Sequence, residues 1–252
     1  MRRLALILSV MVSILASASA AEEIVAGLSQ DEISITANFD GSEIIIFGAV
    51  SREAPIPEGT LGVIITVAGP DRPVTVRRKE RRFGIWVNTE TAEIDAAPTF
   101  YAIATNAPLD EVLHAVEDLR HRVSIPVAIR AVDTGVLDQE AFVDAIARIR
   151  QDNDLYQLLE GAVEVRQQTL FDTRIRLPAN LTEGDYLTRI FLTRDREVVA
   201  VFETEIAVRK VGLERLIYRL AYDQPLVYGI LALTIAIAAG WAASAAFRLI
   251  WR

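Results

Sequence analysis

Apolar residues are concentrated at the two ends of the 252-residue chain. At the N-terminus, an apolar run over residues 4–15 follows Arg2 and Arg3 and precedes three small residues, 18–20. This pattern predicts a secretory signal peptide over residues 1–20, cut before Ala21. The run of 12 residues is shorter than the roughly 20 needed to cross a bilayer. An uncleaved signal anchor is the alternative interpretation.

The second run, residues 226–247, contains 22 residues and no charge. As a helix it would be about 33 Å long at about 1.5 Å per residue, enough to cross the hydrocarbon core. Arg248 and Arg252 follow in the tail 248–252, which the positive-inside rule assigns to the cytoplasm. Residues 21–225 are therefore expected outside the cytoplasm.

Between the two runs, both flanks are strand-like. Residues 21–107 contain an alternating stretch at 33–39, apolar runs at 43–50, 62–68 and 100–105, and a hairpin pattern at 74–77 and 85–88. Residues 163–209 contain a long alternation at 163–177, with a bulge expected near Gln168, and further strands at 187–193 and 198–208. We predict a mainly β, α+β domain: an Ig-like β-sandwich with a helical insertion.

The insertion, residues 108–162, has the periodicity of helices. Five apolar residues at helical spacing predict a first amphipathic helix, and four more predict a second helix capped by Asp138. A strand is expected over 125–132 and a helical turn over 154–160. The first stripe is Leu109, Val112, Leu113, Val116 and Leu119, and the second is Phe142, Val143, Ile146 and Ile149.

The segment that joins the domain to the apolar run, residues 210–225, is amphipathic and predicts a juxtamembrane stalk. Within the predicted spanning helix, small residues repeat every four positions, a ridge that permits close packing against another helix. The ridge consists of Ala232, Ala236, Gly240 and Ser244.

Composition removes several function classes. The chain has no Cys and two His, which excludes disulfides, thiolate catalysis and Cys-based metal centres. Its net charge is −8, and the predicted exported part, with 22 basic and 34 acidic residues, carries −12. An acidic domain argues against nucleic-acid binding. We expect no cofactor and no metal.

The two histidines lie seven residues apart, with Glu117 and Asp118 between them. A surface metal site at His114 and His121 is geometrically conceivable on one helix, but a solvated helix face is the simpler interpretation.

One basic cluster stands out in the acidic domain: Arg77, Arg78, Lys79, Arg81 and Arg82, interrupted only by Glu80. It could contact an anion, lipid headgroups or an acidic patch on a partner. A solvated hairpin tip is the simpler interpretation.

Several short motifs carry a family resemblance over nearly the whole chain. They are Phe39-Asp40-Gly41-Ser42-Glu43 before 46–50, Gly84-Ile85-Trp86-Val87-Asn88, Pro98-Thr99-Phe100-Tyr101, and residues 210–215 before the terminal helix. With these motifs the chain resembles a family of alphaproteobacterial transmembrane proteins. The resemblance implies a bacterial inner-membrane protein, often encoded beside sulfite-exporter-type permeases, and brings no assigned catalytic residues.

Three functional hypotheses follow. The first is a non-enzymatic accessory protein with a periplasmic domain that docks onto another membrane protein, such as a transporter. The alternative is a periplasmic ligand-binding or sensing module with a pocket formed by Trp86, Phe100 and Tyr101. A hydrolase built from carboxylates such as Asp40, Glu43 and Asp95 is the least supported, because no catalytic constellation accompanies them.

Overall fold

The computed structural model describes residues 22–36, 38–131, 138–211 and 213–250, so the predicted signal peptide lies outside the described residues. Twelve strands and six helices are described there. The elements in chain order are β1 (Glu23–Leu28), β2 (Glu32–Ile35), β3 (Ser42–Ser51), β4 (Leu61–Ala68), β5 (Asp71–Arg82), β6 (Ile85–Pro98), β7 (Tyr101–Thr105), α1 (Leu109–Val112), α2 (Ala115–His121), α3 (Ile125–Ala128), α4 (Gln139–Gln151), β8 (Tyr156–Leu159), β9 (Glu164–Arg166), β10 (Leu170–Leu177), β11 (Gly184–Arg194), β12 (Glu197–Lys210), α5 (Leu213–Asp223) and α6 (Pro225–Ile250).

Two sheets form the predicted β-sandwich. The first has the order β1-β3-β10-β9 and the second the order β2-β12-β11-β4-β7-β8. Each sheet takes strands from both β-rich flanks of the chain, so the two flanks together build one sandwich. The fold class is confirmed, with two parallel pairs, β2–β12 and β7–β8, added to antiparallel sheets.

The core between the sheets is built from the inward-facing residues of strands whose residues alternate between inward and outward positions. Ile46 and Phe171 of the first sheet belong to the same buried cluster as Ile65 and Ile190 of the second. All four are at most 2% exposed. Removing this apolar surface from water is the main stabilising term for the domain, since no disulfide contributes.

A helical layer covers the opposite face of the second sheet. Ile64, Ile103 and Phe191 on that face form a second buried cluster with Val143 and Ile146 of α4. Strands β4 and β7 are therefore buried on both faces. This double burial explains why 62–68 and 100–105 are continuous apolar runs without alternation.

Several expectations for the insertion are wrong. The first predicted helix is broken into α1 and α2 at an extended His114, and Val116 and Leu119 of its stripe are exposed. Residues 125–128 form helix α3 instead of a strand. In α4, Ile149 is exposed and Ala147 is buried in its place. Short segments of this kind follow their tertiary contacts more than their own periodicity.

Two strand assignments also change. Residues 156–159 form β8, which pairs with β7 at the edge of the second sheet, instead of a helical turn. The alternation over 163–177 is a tight hairpin of β9 and β10, in which Gln167 and Gln168 have positive φ, rather than one bulged strand. The predicted helical insertion thus contributes a strand to the sandwich.

Tyr186 secures the entry to β11. Its hydroxyl donates a hydrogen bond of 2.8 Å to the carbonyl of Thr182, four residues upstream. The ring packs 6.1 Å from that of Phe100 in the sandwich core. Burial raises the pKa of Tyr186 to about 12. A tyrosine bonded back to the preceding loop in this way is typical of Ig-like sandwiches.

The long β5–β6 hairpin leaves one end of the second sheet. Ala68 at the end of β4 pairs with Tyr101 and with Leu187. Gly184, at the same end of β11, pairs with Val208 near the end of β12. The base of the hairpin and the end of β12, from which the chain continues to its C-terminal helices, therefore lie at the same end of the sheet.

Two helices follow β12. In α5, Tyr218 and Tyr222 are exposed and their rings lie 4.5 Å apart. The two helices are separated by Gln224, whose carbonyl accepts a 3.1 Å hydrogen bond from the amide of Tyr228. Helix α6 is about 39 Å long at about 1.5 Å per residue. Its segment Pro225–Ser244 has a mean hydropathy of 2.0 with no part buried, and is long and apolar enough to cross a membrane.

Candidate functional surfaces

The β5–β6 hairpin, residues 71–98 and here called the arm, carries the predicted basic cluster. Near its base, Val74 and Val76 pack on the helical layer, where Ile94 is fully buried. Beyond this anchored part, every residue from 79 to 88 is exposed. The arm is longer than predicted, and its outer part is free of packing against the domain.

The apex of the arm, residues 83–87, is apolar. Phe83 is fully exposed, and Ile85 and Trp86 are 66% and 69% exposed. Phe83 and Gly84 both have positive φ, 51° and 86°, in the two-residue turn that reverses the chain. Such turns match the twist of a hairpin, but Phe is an unusual residue for the left-handed region. An aromatic side chain is thus presented to solvent at a position that favours Gly or Asn.

The cations behind the apex are largely unpaired. Arg77, Lys79 and Arg81 form no ion pair with any residue that the structure describes, and Arg82 contacts only Glu80, at 3.2 Å. Residues 77–91 contain five basic and two acidic side chains, a net charge of +3. This positive segment belongs to a domain whose overall charge is strongly negative, so it attracts anionic surfaces that the rest of the domain repels.

Arg78 has a different role from the other members of the predicted cluster. Its guanidinium lies 2.8 Å from a carboxylate oxygen of Glu90 and 3.1 Å from one of Asp138, and 4.8 Å from the ring centroid of Phe142. These contacts tie the arm to the start of α4. Asp138, expected as a helix cap, makes no side-chain capping hydrogen bond and binds Arg78 instead.

The outer face of the first sheet is a second unusual surface. In antiparallel register, Val25, Ala49 and Leu170 form one cross-strand row, and the adjacent row contains Gly27 and Phe47. Val25, Phe47 and Leu170 are about half exposed. The ring of Phe47 lies over Gly27, 3.2 Å from where a Cβ would stand. The outer face of a sandwich sheet is normally polar, so these side chains form an apolar patch on a face that also carries charged residues such as Asp172, which is opposite Phe47.

An ion-pair network closes the end of the sandwich opposite the arm. Glu22 binds Arg194 through two contacts of 2.9 and 3.1 Å and Arg52 through one of 2.6 Å. Hydrogen bonds to Arg194, opposed in part by burial, hold the pKa of Glu22 below its usual value. Since Arg52 follows β3 and Arg194 ends β11, the network joins the two sheets and has a structural role.

The histidines do not share one helix face. His114 lies in the extended break before α2, whereas the His121 ring lies 3.5 Å from the buried Glu117 and packs edge-on against Phe191, with centroids 5.5 Å apart. Glu117 also binds Arg120 at 2.6 Å. Among the described residues, no group of three or more His, Asp or Glu is placed to hold a metal ion.

The residues of the predicted pocket are separated. Trp86 is at the apex of the arm, Phe100 is buried in the sandwich core, and Tyr101 is buried under the helical layer with its hydroxyl 2.7 Å from the carbonyl of Val123. The expectation that they line one pocket is wrong, because Phe100 and Tyr101 are buried in clusters on opposite sides of the second sheet and Trp86 is on the arm.

The carboxylates of the hydrolase hypothesis are also dispersed. Asp40 and Glu43 are exposed at the start of β3 in the first sheet, and Asp95 is on β6 of the arm. They lie on different sheets and do not form one constellation.

A different concave surface exists between β8 and α4. It is a groove of about 500 Å³ with an apolar floor that includes Ile103 and Ile125, and with Asp144 and Arg148 at its rim. Sequence reasoning missed this groove because it assigned β8 to a helix.

The small-residue ridge is on α6, and all four of its residues, Ala232, Ala236, Gly240 and Ser244, are exposed. The described part of the domain does not cover this helix, which is consistent with an environment of lipid or of another helix.

A β-sandwich domain followed by one helix that is long and apolar enough to cross a membrane defines a class of protein: a membrane protein with a large β-rich domain next to a C-terminal spanning segment. The chain belongs to the family described as "Putative transmembrane protein (Alph_Pro_TM)", which matches residues 23–249. No curated protein and no solved structure matches the chain.

Proposed function

We propose that this chain is a non-enzymatic, single-pass protein of the bacterial inner membrane that docks onto another integral membrane protein. Its β-sandwich lies in the periplasm and its C-terminus in the cytoplasm. A transporter such as a sulfite-exporter-type permease is the kind of partner that the family resemblance suggests. The orientation rests on the signal-peptide pattern of residues 1–20 and on Arg248 and Arg252 behind the spanning helix.

The observation that carries the docking proposal is the exposed apolar patch on the outer face of the first sheet. Val25, Phe47 and Leu170 are side by side on adjacent strands, where a free sandwich would present polar residues to water. Charges lie directly beside the patch, because Asp172 is opposite Phe47 and lies 3.1 Å from Arg166, which is opposite Leu170. An apolar centre with a charged rim is the composition of protein–protein interfaces.

The protein would act by positioning or stabilising its partner, with the ridge on α6 packing against a partner helix.

The test is site-specific photo-crosslinking in intact cells. A benzophenone amino acid at position 47 should crosslink to an integral membrane protein, identified by mass spectrometry, and Val25→Asp should abolish that crosslink. The matched control position is Val201 on β12 of the second sheet, 42% exposed, which should give no crosslink. Equal crosslinking at positions 47 and 201, or capture of soluble proteins only, would contradict the proposal.

The groove between β8 and α4 supports the alternative of a ligand-binding module. Its apolar floor and its two charged rim residues fit a small amphipathic molecule with an ionised head. Ala147→Trp would fill the groove. If ligand binding is the function, Ala147→Trp should lose the protein's activity in cells. Val25→Asp, which leaves the groove unchanged, should keep that activity.

A further inference from the structure

We propose that the apex of the arm inserts into the surface of a bilayer containing anionic phospholipids, so that the protein holds the membrane at a second point besides α6. This inference concerns lipid and is independent of the protein partner proposed above. It rests on the apolar apex, the cations behind it, and the reach of the arm.

The composition of the apex is that of an interfacial anchor. Phe83, Ile85 and Trp86 lie within four residues of one another at the end of a two-stranded ribbon and are exposed to water in the described structure. Trp is favoured at the level of lipid headgroups because its ring combines an apolar body with a polar N–H, and Phe is common on the buried face of interfacial segments. Insertion removes these three side chains from water without any change in the rest of the domain.

The order of residues along the arm matches the depth profile of a bilayer. Counting about 3.3 Å per strand residue from the turn, Arg82 lies about 3 Å, Arg81 about 7 Å and Lys79 about 13 Å behind Phe83. Interfacial segments are buried about 5–10 Å into the boundary between headgroups and acyl chains. An apex at that depth places Arg81 and Arg82 beside the lipid phosphates and Lys79 just above them.

The cations are available for such contacts. Arg77, Lys79 and Arg81 have no ion-pair partner among the described residues, and the Arg82–Glu80 pair is exposed and weak. Arg78, which is held by Glu90 and Asp138, remains bound to the domain and keeps the base of the arm in position.

The arm is long enough to reach the membrane. Its 12-residue strand β5 is about 40 Å long, while α5 and the three residues beside it, 211, 212 and 224, span at most about 27 Å between the domain and α6. The base of the arm is two strands from β12, about 10 Å along the sheet, and at the same end of it. Because the spanning helix tethers the domain to the bilayer, the arm meets the membrane surface at a high effective concentration.

An acidic protein surface is the other conceivable occupant, and the geometry favours lipid. The apex is the end of a two-stranded hairpin, about 5 Å between its strands, and so offers little of the roughly 800 Å² per partner that a stable protein interface buries. A fluid bilayer needs no shape complementarity. It offers the apolar layer for the apex and the anionic layer for the cations in the required order.

The test uses the full-length protein in lipid nanodiscs that contain no other membrane protein. The chain has no Cys, so Val87→Cys provides a single thiol for an environment-sensitive fluorophore beside Trp86. Its emission should shift to shorter wavelength in discs in which a third of the lipid is phosphatidylglycerol and the rest phosphatidylcholine. Ile56→Cys is the control, because its exposed side chain precedes β4 at the opposite end of the sheet and should report water in every disc.

Two variants separate the contributions of charge and apolar surface. Lys79→Gln, Arg81→Gln and Arg82→Gln together should lower the ratio of inserted to free apex on the order of a hundred-fold, since each cation near an anionic surface contributes about fivefold. Phe83→Ser with Trp86→Ser should abolish the shift in all discs. All five side chains are exposed, so both variants should unfold at the parent temperature, which thermal unfolding checks.

Three results would overturn the inference. The first is the same emission from positions 87 and 56 in anionic discs. The second is an equal shift at position 87 in discs of phosphatidylcholine alone, which would remove the role of anionic lipid. The third is a shift that occurs only in native membranes together with a crosslink from the apex to a protein, which would make the occupant an acidic protein surface. Failure of the crosslink from position 47 would affect only the docking proposal.

Discussion

Replacement of Glu22 by Gln tests whether the buried ion-pair network holds the two sheets together. The variant preserves the shape of the side chain and removes its charge. Arg194, only 8% exposed, then loses its counter-ion, and the Gln amide has one acceptor oxygen in place of the two carboxylate oxygens that accept the three hydrogen bonds of 2.6–3.1 Å. Removing one partner of a buried pair costs about 3–5 kcal/mol. Because Arg52 is also present and Gln can still accept hydrogen bonds, we expect about 3 kcal/mol.

Thermal unfolding of the full-length protein in micelles, followed by circular dichroism, measures this loss. For a domain of about 200 residues, 1 kcal/mol corresponds to about 2–4 °C, so the unfolding temperature should fall by about 6–12 °C. Glu23→Gln is the matched control, because this neighbouring carboxylate is exposed and forms no ion pair with a described residue. Its unfolding temperature should remain within about 1–2 °C of the parent, since surface substitutions usually cost less than about 0.5 kcal/mol.

The network also predicts a pH dependence. The pKa of Glu22 is lower in the folded protein than in the unfolded chain, so folding favours its ionised form. Its contribution is fully present above the unfolded pKa of about 4.3–4.5 and is lost as the pH falls through the lower folded pKa. Parent protein and Glu23→Gln should therefore lose more stability on acidification than Glu22→Gln. Parallel acid curves for all three proteins, or a change below about 2 °C at neutral pH, would refute the reasoning.

Three further predictions concern the fold. Arg78→Met should release the arm from α4 at a cost of about 1 kcal/mol and speed amide hydrogen exchange over residues 71–98, whereas Arg77→Met should change neither. Tyr186→Phe removes a buried hydrogen bond and should lower the free energy of unfolding by about 1 kcal/mol; because its folded pKa is raised to about 12, stability of the parent should also fall as the pH rises above about 10. Ile146→Ala should cost about 2–5 kcal/mol and Ile149→Ala less than about 0.5 kcal/mol, measured by denaturant unfolding, and equal costs would contradict the placement of α4.

The predicted elements that the structure confirms share one property: their burial is encoded in a local pattern. The runs at 43–50, 62–68 and 100–105 correspond to strands β3, β4 and β7. The helical spacing of Phe142, Val143 and Ile146 correctly predicted helix α4. Such segments bury one face or two whatever their neighbours are, so periodicity is sufficient to identify them.

The elements that were predicted wrongly are short and depend on partners far away in sequence. Residues 156–159 form a strand because β7 offers its free edge, and residues 113–114 are extended because the His114 amide donates to the carbonyl of Arg196, at 2.9 Å. A four-residue segment has too little intrinsic preference to resist such contacts.

The same distinction applies to the candidate surfaces. The sequence by itself determined that the chain has an apolar C-terminal segment, a β-rich domain without disulfides, and a basic cluster at a hairpin. Only the tertiary structure decided that Arg78 is bound by Asp138, 60 residues away, and so is separate from the cluster. It also exposed the apex at Phe83 and Trp86 and aligned Val25, Phe47 and Leu170 on one face. The reason is physical: composition and periodicity are local properties, whereas exposure and partnership depend on which strands become neighbours.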